Sequence, residues 1–222
     1  MAFGPTMQLQ INGLNIELAP INKDSVSAFI SPGLQQASVG RYLTLSIAPT
    51  IEDEQEWYEK VRTDQNSRVW GIWVRDNDER TLIGSTALND IKRTHFHQAT
   101  SGILISDMSY WGRGVASATH KARTWYAFQY LGLHRIKSAV LHGNTGSLKA
   151  LQRSGYELVY TERNEQFVDG VFRHMDCLEC LNPSDPFWSQ WWHGNRSPKK
   201  LVAARQVTQE TLKWAQQHVE LP

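Results

Sequence analysis

The chain has 222 residues, 41% of them apolar, and 23 Lys+Arg against 22 Asp+Glu give a formal charge of +1. That length suits one large domain or a domain with an extension, and the near-zero charge supplies no global field to draw nucleic acid or an acidic membrane. Two cysteines cannot staple a domain this size, no apolar run approaches the roughly 18 residues of a membrane helix, and no basic-then-apolar leader opens the chain, so a cytoplasmic globular protein is expected.

Residues 7–18 read as a strand with Leu9, Ile11 and Leu14 loosely spaced, and residues 24–30 as a short helix stopped at Pro32-Gly33. Thr50 with Asp53 three positions on makes a capping box, and Trp57, Tyr58 and Val61 recur at helical spacing, so a helix is expected over 51–64. Residues 68–74 are rich in β-formers and end in the turn residues Asp76-Asn77-Asp78; residues 82–88 make the matching strand. A polar stretch, 89–98, leads into 102–105, short and apolar like a buried strand.

The second half alternates. A helix over 114–131, with Ala116, His120, Ala127 and Leu131 as inward candidates, ends at Gly132. A strand over 134–141, a helix over 144–154 and strands over 156–161 and 171–181 follow, until Pro183 and Pro186 break the pattern. Trp188, Trp191, Trp192 and a helix near 206–218 complete the chain. This order implies a mixed α/β or α+β sheet with helices on its faces. The division is a domain over 1–181 and a Trp-rich extension over 182–222 that is too small to fold alone and packs on the domain.

The chemistry is concentrated in Trp111-Gly112-Arg113-Gly114-Val115-Ala116, between a buried strand and a long helix. Two glycines one residue apart let the backbone turn sharply and aim successive N–H groups at one point. With the positive end of the following helix they form an anion cradle suited to a pyrophosphate. Ser117 at the third glycine position excludes a Rossmann fingerprint, and no Gly-Lys-Ser/Thr follows to make a P-loop.

Downstream, in order, come Tyr126-Ala127-Phe128, Leu131-Gly132-Leu133-His134-Arg135-Ile136, Asn144-Thr145-Gly146-Ser147 and Arg153-Ser154-Gly155-Tyr156. This series resembles the GNAT N-acetyltransferase superfamily, in the branch of the ribosomal-protein alanine N-acetyltransferases. The resemblance covers 15–181 in layout and is specific over 102–156. It implies a twisted, mostly antiparallel sheet splayed between its fourth and fifth strands, here 102–106 and 134–141. It also implies acetyl-CoA as co-substrate, with pantetheine along the backbone of Leu104, Ile105 and Ser106 and pyrophosphate on Trp111, Gly112, Arg113, Gly114, Val115, Ala116 and Ser117. A backbone N–H on the fourth strand would polarise the thioester carbonyl, and the acceptor amine would attack directly in a ternary complex.

By the same resemblance Asn144 touches the pantetheine or helps place the sulfur, while its position also suits a helix N-cap. Ser147, one turn on, is either a proton donor to the departing thiolate or a hydroxyl that orients the cofactor. The tyrosine many members carry seven residues after the asparagine is Leu151 here, and the branch's glutamate is replaced by Thr100 or Ser101. Asp90, His95, His97, Asp107 and His174 are the remaining general-base candidates, acting through water.

Cys177 and Cys180 invite a redox or zinc reading, but residues three apart on a strand face opposite ways and two more ligands are missing, so buried structural cysteines are expected and no metal. The expected partners are an amine-bearing acceptor (antibiotic, amino sugar, polyamine or protein N-terminus), with a homodimer left open. The alternative function is an acyl-CoA-binding module without efficient turnover, motivated by the missing tyrosine and glutamate.

Overall fold

The single strand expected over residues 7–18 is a hairpin. In the computed structural model, which describes residues 2–43, 48–77, 79–94 and 97–222, β1 (Met7–Ile11) turns at Asn12-Gly13 and returns as β2 (Leu14–Ala19). Both turn residues have positive φ, +48° and +78°, as a two-residue type I′ turn requires. The extra strand shifts the count, so the strands expected as fourth and fifth are β5 (Gln98–Ile105) and β6 (Arg135–Leu141).

Eight strands form one sheet in the order β1-β2-β3-β4-β5-β6-β8-β7. β3 (Arg68–Asp76) and β4 (Glu79–Lys92) pair as expected. β4 runs four residues past Leu88 into the polar stretch, because tertiary pairing with β5, through a bulge at Asn89/Lys92, overrides its polar composition. β7 (Glu157–Val168) and β8 (Val171–Leu181) form a long hairpin at the far edge.

Helices cover both faces. On one side lie α1 (Ser27–Phe29), α2 (Ala37–Gly40) and α3 (Ile51–Thr63), packed through Phe29, Val39 and Trp57 on Ile21, Trp73 and Leu82. The Thr50–Asp53 capping box that opens α3 is formed. On the other side α4 (Val115–Gln129) buries Ala118, Ala122, Trp125 and Phe128 in the main core, and α5 (Thr145–Gln152) adds Leu151.

After β8 come α6 (Asp185–Trp192), which the prolines concealed in the sequence, and α7 (Lys199–His218), longer than expected by a full two turns at its start. α7 lies along α4, with the Lys121 ammonium 5.0 Å from the Trp214 ring. Ala215 and Val219 enter the main core, and Glu220 exchanges backbone hydrogen bonds with Gln8 of β1.

Candidate active site

β5 and β6 run parallel and pair only at Gln98–Arg135, Ala99–Ile136 and Thr100–Lys137. Beyond Thr100, β5 stays with β4 while β6 stays with β8. The sheet therefore opens into a wedge, and a cavity of about 460 Å³ occupies it. Val39, Tyr42 and Leu43 close one side of this cavity, and α4 and α5 the other.

The loop after β5 is held from two directions. The Trp111 indole N–H donates to the Ile105 carbonyl at 3.0 Å, and Asn12 of the hairpin donates its Nδ2–H to the Arg113 carbonyl at 3.0 Å. Gly112 and Gly114 sit at φ of +74° and +88°, a region that costs an L-residue with a side chain. The first helical bond of α4 runs from Ala118 N–H to the Gly114 carbonyl at 3.0 Å. The N–H groups of Val115, Ala116 and Ser117 precede it without helical partners, at the positive end of a fifteen-residue helix, and all three residues line the cavity.

On the opposite wall Asn144 Oδ1 accepts from Ser147 N–H at 3.1 Å and caps α5. Asn144, Ser147 and Leu151 all line the cavity. The cap and the cavity-facing position therefore coexist at Asn144.

An acetyltransferase (GNAT) domain profile matches residues 15–157. The chain belongs to the GNAT acetyltransferase family. It is 30% identical over 140 residues to the probable N-acetyltransferase YjcK of Bacillus subtilis (strain 168), covering 61% of this chain and 75% of that protein. The fold is similar to that of a spermidine N-acetyltransferase from Vibrio cholerae solved with CoA and spermine, with TM-score 0.67, 20% identity, and coverage of 75% of this chain and 95% of that one. It is also similar to Mycobacterium smegmatis RimJ solved with CoA-disulfide, with TM-score 0.69, 16% identity, and coverage of 99% and 97%. As a GNAT enzyme the protein is an N-acetyltransferase with acetyl-CoA as its co-substrate.

The GNAT cavity fits that donor. It offers a strand edge released from pairing, a cradle of free N–H groups, and a wall of apolar and small residues between them. Leu104, Ile105, Trp111, Gly112, Gly114, Val115, Ala116, Ser117, Asn144 and Ser147 line it. Two residues expected at the cofactor do not. Ser106 donates both its N–H and its hydroxyl to the Ile83 carbonyl, at 2.9 and 3.1 Å, and is buried beside Gly33. Arg113 is exposed, with its guanidinium over the Tyr110 ring at 5.2 Å.

None of the described general-base candidates lines the cavity. Asp90 sits in the β4 bulge, and His97 stacks on His134 at 4.8 Å where β5 and β6 are still paired. Asp107 caps the turn after β5 by accepting from Ser109 N–H, and His174 accepts from Asn164 N–H on the outer hairpin. His95 lies outside the described residues.

Tyr42, Tyr110, His120, Lys149 and Arg153 line the cavity and were not singled out for it by sequence. His120 was readable as inward-facing; that its inward face meets the wedge follows only from where α4 crosses the sheet. Burial and the nearby Arg123 charge hold the His120 imidazole well below its ordinary pKa, so the ring is neutral. Cys180 is fully buried, and burial pushes its thiol up to about 12. Cys177, expected buried, is only half-buried, because its strand neighbours Ala139 and Tyr160 are themselves exposed.

Proposed function

We propose that this GNAT enzyme acetylates an amine of low pKa, such as an α-amine of a small molecule or of a protein N-terminus, by direct attack in a ternary complex. The observation that carries this reading is the cavity lining: it contains no Asp or Glu among the described residues, and its only histidine is buried and neutral. Without an adjacent base the amine must arrive already deprotonated. At pH 7 about 10% of an α-amine of pKa ~8 is neutral, against about 0.04% of a lysine-like amine of pKa ~10.4. The same lining, with Lys149 and Arg153 on its rim, offers nothing to pair with the several ammonium groups of a polyamine.

In this reading the backbone of Leu104 and Ile105 receives the pantetheine, and the N–H groups of Gly112 and of Gly114 to Ser117 hold the pyrophosphate. The donor supplies an acyl group activated as a thioester. The amine lone pair forms the new C–N bond, and the C–S bond then breaks as the thiolate leaves. Ser147 either passes its proton to the thiolate and is reprotonated through solvent by the proton the amine releases, or it orients the thiolate while the released proton leaves to solvent; Asn144 fixes the turn that presents Ser147. Residues 1–181 would form the catalytic unit and 182–222 an extension that braces α4. That the fold similar to RimJ spans nearly the whole chain, tail included, supports an extension packed as part of the same body.

A thiol-release assay with an amine panel at pH 7 and pH 9 tests the reading. Peptide N-termini and amino-acid amines should turn over at pH 7, and polyamines should lag even at pH 9. A polyamine preferred at pH 7 overturns the acceptor reading. Tight acetyl-CoA binding without thiol release from any amine would favour the acyl-CoA-binding module instead.

A further inference from the structure

The apex of the wedge carries a polar cluster that the roles above do not use. Arg123 is fully buried in α4, and its partners are the Gly102 carbonyl at 2.7 Å, the Thr86 hydroxyl at 2.6 Å and His120 Nδ1 at 2.7 Å; none of them is acidic. A guanidinium has no acceptor, so Nδ1 must accept and the imidazole proton resides on Nε2. That Nε2–H is buried without a partner among the described residues, and His120 lines the cavity. Ser101, whose hydroxyl is likewise buried and unpartnered, lines it too.

Strand register places these groups together. Ser101 lies opposite Leu88, and Ser138 follows Ile136 by two residues, Ile136 lying opposite Ala99. Leu88, Ala99 and Ile136 all face the core under α4. Ser101 and Ser138 therefore stand on the α4 side, one residue past the last β5–β6 pair, at the narrow end of the wedge, and both line the cavity together with His120. An apolar enclosure with a fixed N–H donor, backed by an uncompensated positive charge, is suited to an oxygen that gains negative charge.

We propose that His120 is a catalytic hydrogen-bond donor at the wedge apex, its Nε2–H binding the acyl oxygen of the donor with Arg123 behind the ring. The inference rests on the acetyl-transfer reading above. The hydrogen bond strengthens as the amine attacks and the carbonyl electron pair shifts onto oxygen, and it relaxes when that pair returns and the thiolate leaves. Arg123 acts through the ring as a positioning residue. A buried water shared by His120 and Ser101 is the competing occupant.

Two readouts need no acceptor amine. With 15N-labelled histidine, the His120 Nε2 resonance should move when acetyl-CoA is added and move less with CoA, which lacks the acyl oxygen. With carbonyl-13C acetyl-CoA, the infrared thioester band should fall in frequency on binding wild type. It should return toward the free value in His120→Leu and fall again in His120→Gln, which restores an N–H. With the best amine of the panel, His120→Leu should lower kcat by about 100-fold while KM for acetyl-CoA stays within about twofold. Identical Nε2 resonances with the two ligands, or one infrared band for wild type and His120→Leu, overturn the proposal. Should His120→Leu fail to fold, the labelled wild-type protein decides. Absence of any acetyl-CoA binding would instead sink the underlying acetyl-transfer reading.

Discussion

Replacing Gly114 with alanine adds one methyl group at a backbone φ of +88°, where an L-side chain costs about 1–2 kcal/mol. The new Cβ would stand 3.0 Å from Asn12 Nδ2 and 3.3 Å from Ile11 Cγ1. Asn12 must then retreat from the Arg113 carbonyl, and loosening that hydrogen bond adds about 0.5–1.5 kcal/mol. The sum is about 1.5–3.5 kcal/mol, or a melting temperature lower by about 3–14 °C for a chain of this size. Gly112 is the internal control. Its φ is +74°, yet a Cβ there meets nothing within 4 Å, so Gly112→Ala should show the backbone cost alone, about 2–8 °C. Scanning calorimetry with and without acetyl-CoA reads both effects. Wild type should gain about 2.7 kcal/mol at a hundredfold excess over Kd, and both variants should lose much of that gain because the loop aims the cradle's N–H groups. A Gly114→Ala protein no less stable than Gly112→Ala would refute the hairpin clasp. A full ligand shift in both variants would refute the cradle as the phosphate site.

Three further outcomes are expected. Ser147→Ala should lower kcat with little change in KM for acetyl-CoA if its hydroxyl serves the thiolate, whereas Asn144→Ala, which also removes the α5 cap, should weaken cofactor binding and cost about 1 kcal/mol of stability; steady-state kinetics and melting curves separate the two. The double variant Cys177→Ser, Cys180→Ser should retain acetyl transfer, and in the native protein Cys177 should react with a thiol reagent at pH 8 while Cys180, buried with its thiol near 12, stays unmodified. His120 is neutral when folded and has a folded pKa well below the ordinary 6.5, so below pH 6.5 the unfolded state takes up a proton that the folded state refuses. Its contribution to stability is unchanged above 6.5 and falls by up to about 1.4 kcal/mol per pH unit below it. Denaturant titrations at pH 7 and 5 should show that loss shrink in His120→Leu.

What the residues revealed by themselves is what they dictate locally. The Gly112/Gly114 turn, the Thr50–Asp53 capping box and the Asn144 cap each depend on a few consecutive residues whose backbone and side-chain preferences suffice. β8 spans the expected residues because its apolar alternation and flanking turns agree. Boundaries slipped where pairing outweighed composition: β4 extends through polar Asn89 and Asp90 because β5 lies beside it, and Asn12-Gly13 divides one apparent strand into two. Ser106 is a cofactor residue by the family resemblance; that its N–H and hydroxyl both go to the Ile83 carbonyl is decided by the tertiary structure.

The wedge and its electrostatics belong to the tertiary structure. No local rule ends β5–β6 pairing at Thr100 and Lys137; the two strands part because each follows a different antiparallel neighbour. Asn12 clasps Arg113 across 101 residues of sequence, and Arg123 reaches Gly102 across 21 and Thr86 across 37. The sequence by itself therefore determined the family motifs and the anion cradle, whose geometry is short-range backbone conformation. Only the folded chain decided which polar groups share the cavity, because burial, hydrogen-bond satisfaction and the charge state of His120 depend on atoms brought together from distant segments.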